Sequence, residues 1–76
     1  MLPSKVISID ESIISKFPYV LDELMAEELA IVKLYEKTVD RFEDINEFIL
    51  VLDALYVLNC VEYGNEYGVL KYVKRN

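Results

Sequence analysis

The stretch from Asp44 to Asn59 limits the fold more than any other part of this chain. It opens with Asp44 and Glu47 at capping-box spacing, an acidic side chain for the free amides and a second one three residues on. It closes on Asn59, a residue type that tolerates the left-handed conformation at a helix end. Between Glu47 and Leu58 only Glu47 and Asp53 are charged. At roughly 100° per residue, Ile45, Phe48, Ile49, Leu52, Leu55 and Tyr56 share one broad apolar face. The opposite side carries Leu50, Ala54 and Val57, flanked by Val51 and Leu58, and is apolar as well. A helix that is apolar nearly all round has to be covered nearly all round. A chain of 76 residues has little left over to cover both sides, so the segment implies a partner.

Composition points the same way. Hydrophobic residues make up 54% of the chain, including six Tyr and three Phe, more than a solitary small domain needs. That excess favours a permanent complex, and self-association when the chain is alone. The formal net charge of −6 sets a field that repels nucleic acid and anionic membranes. Positive charge gathers near the end, in Lys71, Lys74 and Arg75, which read as a solubilising tail or as weak contacts to DNA backbone without sequence preference. The single cysteine, Cys60, excludes an internal disulfide, fits a reducing compartment and reads as a buried structural thiol. Met1 to Lys5 does not lead into a signal-like apolar run. The longest apolar run, Phe48 to Leu52, is too short to span a bilayer. The expected location is the cytoplasm, with no membrane contact.

Taken in order, residues 1–11 read as an extended arm, because Pro3 disfavours helix before it and Val6, Ile7 and Ile9 favour strand. Residues 12–76 read as one domain. Ile13, Ile14, Phe17, Val20, Leu21 and Leu24 recur at helical spacing, but Pro18 is comfortable only in a first turn. The main helix is therefore expected to start near Ser15 to Phe17, with Ile13 and Ile14 in a preceding turn and Met25 to Leu29 as an extension. A second helix spans about Ala30 to Thr38, with Ile31, Leu34, Tyr35 and Thr38 on one face. Phe42 anchors the connection to the central helix. Cys60 to Tyr63 and Val69 to Val73 read as strands around a turn bounded by Gly64 and Gly68. Three helices followed by a β-hairpin wing give an α+β, mostly α class and the order of a winged helix-turn-helix domain.

Catalytic chemistry is thin. The chain has no His, the commonest general base and metal ligand. Both glycines sit in the hairpin turn, so no phosphate-binding loop exists. The pairs Asp22/Glu23 and Glu27/Glu28 read as charge on a solvated helix. Neither enzyme activity nor a cofactor or metal is expected. A winged helix invites a DNA-reading role, and the third helix argues against it. Base readout needs Arg, Lys, Asn or Gln on the outer face, whereas Ile45 to Leu58 holds no Lys or Arg. The outer residues Leu50, Val51, Ala54, Val57 and Leu58 suit a protein surface instead. Leu2, Ile7 and Ile9 of the arm are further docking candidates, since a strand-prone arm wants another strand or a groove. Either a partner supplies it or the chain itself does, its arm and wing then folding back over the outer face of the central helix.

Three pieces of sequence carry a resemblance: Met1-Leu2-Pro3-Ser4-Lys5 at the start, Phe48 to Tyr56 in the centre, and Asn59-Cys60-Val61-Glu62 after it. Together they resemble the small middle components of bacterial ABC-three-component systems, which carry a Leu-Pro-Thr-Lys-like arm and a Phe-x-x-Ala-Leu-Asp-x-Leu-Tyr-Ala-x-Gly-x-(Ile/Val)-Glu-like centre. Val51 stands where alanine is usual and Asn59 where glycine is usual, and Ala30 replaces the Ser or Thr that typically caps the second helix. The resemblance implies a subunit working beside an SMC- or Rad50-like ATPase and a larger effector, as in Lamassu-like anti-phage defence, with any catalysis in those partners. The favoured function is thus a non-catalytic winged-helix scaffold that binds a larger protein. Its rivals are an acidic winged-helix DNA-binding regulator or antitoxin acting as a homodimer, and a homo-oligomeric module with no DNA role.

Overall fold

The computed structural model describes residues 11–64 and 68–74. Within them the chain is a small, mostly helical α+β unit, with three helices of eight or more residues and a three-stranded antiparallel sheet. Residues 1–10 of the proposed arm, with Leu2, Ile7 and Ile9, lie outside the described residues, as does Arg75.

A short helix α1 (Glu11–Ile14) opens the described chain, so Glu11 starts a helix instead of closing an extended arm. Ile13, expected in a turn, is held in that helix and buried, while Ile14 faces outward. Helix α2 (Phe17–Ala26) then begins where proline permits, with Pro18 in its first turn. It buries Val20 and Leu24. It does not continue to Leu29. Glu27 leaves the helix with extended backbone, and Leu29–Ala30 form a two-residue strand, β1. Leu29 is buried and pairs with Leu70 across the sheet. Burial of Leu29 against a distant strand outweighs its helix propensity, and two residues are too few to show a strand period.

Helix α3 (Ile31–Thr38) follows without a break. Ala30 has no side chain to cap it, and the hairpin supplies the acceptor instead: the Ile31 N–H donates to the Gly68 carbonyl at 2.8 Å. Leu34 and Thr38 are buried, Ile31 and Tyr35 pack against the core, and the Thr38 hydroxyl is satisfied by the Leu34 carbonyl at 2.8 Å. A 3-10 turn (Val39–Arg41) then delivers Phe42 into the core. Phe48 sits between two rings, with centroids 4.8 Å from Tyr35 and 5.3 Å from Phe42. Both separations suit edge-tilted aromatic packing.

Helix α4 (Ile45–Val57) is the central element. Its start is built as its sequence suggests: Asp44 is the N-cap, and the Glu47 N–H donates to Asp44 Oδ1 at 3.0 Å. Glu47 reaches one residue further back, accepting the Glu43 N–H at 2.9 Å, and its Oε1 is also 2.7 Å from Lys16 Nζ. This half-buried ion pair ties the α1–α2 junction to the start of α4. At the far end Asn59 takes the left-handed conformation, φ 66°, which asparagine adopts more readily than most residues. The Cys60 N–H then donates to the Leu55 carbonyl at 2.8 Å and the chain turns into β2 (Val61–Tyr63). Cys60 is partly buried. Strand β3 (Val69–Tyr72) pairs with β2 and with β1, giving the order β1-β3-β2.

Candidate functional site

Helix α4 packs on α1, α2 and β2, and this sets which of its apolar residues are inside. Phe48, Val51, Leu52, Ala54 and Leu55 are buried. Ile45, Ile49, Leu50, Tyr56 and Val57 are exposed. Of the six residues that the helical wheel put on one inward face, Phe48, Leu52 and Leu55 are buried, whereas Ile45, Ile49 and Tyr56 are exposed. Val51 and Ala54, assigned to the outer docking face, are core residues, only 0% and 1% exposed. The buried arc is rotated by roughly 75° from the expected one, less than one residue step. The cause is physical. An amphipathic helix announces its inner face by contrast, and α4 has almost none.

The exposed arc has its own order. Along one flank lie Ile45, Ile49 and Tyr56, and along the other Leu50 and Val57, the last two 52% and 60% exposed. Asp53, the one charged residue on this arc, stands between them on the helix surface. Leu58, just past the helix end, is half-exposed. Leu50, Val57 and Leu58 are thus the predicted docking residues on α4 that the fold leaves at the surface. Exposed apolar residues grouped in this way on one helix face mark an interaction site more often than a solvated face.

On the Ile49 and Tyr56 side the arc falls into a pocket of about 130 Å³ between α4 and the sheet. Its floor includes the buried Leu52, Val61 and Leu70, and its rim includes Ile49, Asp53, Tyr56 and Tyr63. The Tyr56 and Tyr63 rings meet at 5.7 Å between centroids. Sequence reasoning missed this pocket, because nothing local in the chain shows that Tyr63 of the hairpin meets Tyr56 of the helix.

Lys71 lies 3.3 Å from Glu62, its cross-strand neighbour in the β2–β3 register, and Lys74 is exposed. Among the described residues no cluster of acidic or sulfur side chains is placed to hold a metal ion, and no helix is long and apolar enough to cross a membrane.

Comparison with known proteins gives one positive result. No curated protein and no solved structure matches the chain significantly. The family described as "ABC-three component (ABC-3C) system Middle Component 7" matches residues 2–70, which include the proposed arm from Leu2 onward, the described helices and most of the described sheet. A middle component by definition works with other proteins of its system, and the chain belongs to this middle-component family.

Proposed function

We propose that this chain is a non-catalytic, winged-helix scaffold subunit that docks on a larger protein of its ABC-three-component system through the outer face of α4. The observation that carries the reading is the exposed apolar arc of Ile45, Ile49, Leu50, Tyr56 and Val57 on a helix whose other side already fills the core. Leaving such a surface in water is costly, and covering it with protein recovers about 25 cal/mol per Å² of apolar area. The helix order and the hairpin support the winged-helix assignment, with α3 and α4 as the helix pair and β2–β3 as the wing. The partners proposed are an SMC- or Rad50-like ATPase and its effector, in a cytoplasmic, Lamassu-like defence complex. Catalysis belongs to them. The subunit's part is to position or restrain one of them, with any DNA contact weak and confined to phosphate.

A homodimeric DNA-binding regulator fits less well. Helix α4 offers no Lys or Arg to a groove, and the wing's Lys71 is engaged by Glu62. The test is co-expression with the other components of the system. The tagged wild-type chain should carry one of them through affinity and size-exclusion steps, and Leu50→Asp should lose it. Sequence-selective, nanomolar binding of a DNA duplex by the chain alone would overturn the scaffold reading.

A further inference from the structure

The pocket between α4 and the sheet differs from the rest of the exposed arc, because one carboxylate and two tyrosine rings converge on it. Its buried floor is aliphatic, with Leu52, Val61 and Leu70. Its rim carries Tyr56 and Tyr63, 5.7 Å apart, together with Asp53. Asp53 forms no ion pair with any described residue. A volume of about 130 Å³ is the size that takes one ring or one long side chain. A neutral aliphatic anchor would fill the floor and leave the Asp53 carboxylate stranded at a drying interface, which is unfavourable. A side chain with an apolar stem and a cationic head satisfies both parts.

Resting on the docking reading above, we infer that this pocket receives an arginine side chain of the protein partner, its stem on Leu52 and Val61 and its guanidinium between Asp53 and the Tyr56–Tyr63 pair. Charge complementarity selects the occupant. The chain carries −6 overall and Asp53 is the one charge on the exposed arc. Arginine is favoured over lysine because its planar head forms a fork with a carboxylate and also stacks on aromatic faces. It is also among the residues that most often dominate an interface. In the assembled complex Asp53 would sit in the middle of the interface, where water is excluded and a single charge pair sets the register.

The test measures affinity between the purified chain and the component that co-purifies with it, by biolayer interferometry, for wild type, Asp53→Asn, Asp53→Lys and Leu50→Asp. Asp53 is exposed, so its variants should melt within a few degrees of wild type. The expected result is binding weakened about thirtyfold or more by the isosteric Asp53→Asn, and abolished by Asp53→Lys. Raised salt should weaken wild type more than Asp53→Asn. Binding by Asp53→Asn and Asp53→Lys within about twofold of wild type overturns the arginine pocket. If Leu50→Asp has meanwhile lost binding, the docking reading stands and only the pocket fails. If all three variants bind like wild type, both fall.

Discussion

Helices α3 and α4 lie one after the other in the chain and meet water in opposite ways. Helix α3 turns Leu34 and Thr38 inward and shows solvent Lys33, Glu36 and Lys37, with Lys33 and Glu36 paired at 3.5 Å. Val32 is its one exposed large apolar residue. Helix α4 turns Phe48, Val51, Leu52, Ala54 and Leu55 inward and shows solvent almost the same kind of residue. Packing among the described residues covers the apolar face of α3 but only one of the two apolar faces of α4. The outer side of α3 is polar and suited to water, whereas α4 leaves Ile45, Ile49, Leu50, Tyr56 and Val57 exposed, and the proposed docking rests on that difference.

The comparison within α4 can be broken by a charge placed on each face. Val51→Asp introduces a carboxylate at a position that is 0% exposed. It should unfold the free domain, because an unpaired buried charge costs more than a small domain's margin of stability. Loss of cooperative melting by circular dichroism checks it, and a folded Val51→Asp domain would dissolve the distinction between the faces.

Truncation sharpens the same contrast at lower cost. Leu55→Ala should destabilise the free domain by about 2–5 kcal/mol, since Leu55 is fully buried. The same truncation at Leu50 should stay within about 0.5 kcal/mol, as expected of a surface site. Denaturant midpoints at constant slope provide the measurement. Equal losses at the two positions would mean that the outer face is packed within the molecule.

A smaller effect is expected where α4 is fastened. Glu47→Ala removes the acceptor for Lys16 Nζ and for the Glu43 N–H, and should cost about 1–2 kcal/mol in free and bound forms alike. A larger loss in the complex than in the free domain would extend the docking surface to the helix start.

Much of this was legible in the chain. Helix α3 announced its inner face because Lys33, Glu36 and Lys37 mark the other side. Asp44 and Glu47 placed the start of α4, and Asn59, with its positive φ, placed its end. The hairpin was readable from its two glycines. The rotation of α4 was not, because apolar residues on every side leave its phase to be decided by the neighbours it packs against. Strand β1 was hidden for a related reason. It owes its existence to Leu70, far along the chain, and not to any pattern around Leu29. An exposed apolar face on α4 was anticipated in kind, but Val51 and Ala54 are buried and Ile45, Ile49 and Tyr56 are exposed instead, and the Tyr56–Tyr63 pocket came only with the fold.

The central claim is that the outer face of α4 serves a partner and not the fold. Val57→Asp tests it most directly, because Val57 is 60% exposed and a single charge there separates folding from docking. The measurement is a paired one on the same preparation: circular dichroism melting of the free domain, and co-purification with the other components of the system. The account predicts a melt close to wild type, lowered only by the few tenths of a kcal/mol that an acid costs near a helix C-terminus, together with loss of the complex. Unfolding of the free domain, or an undiminished complex, would contradict it.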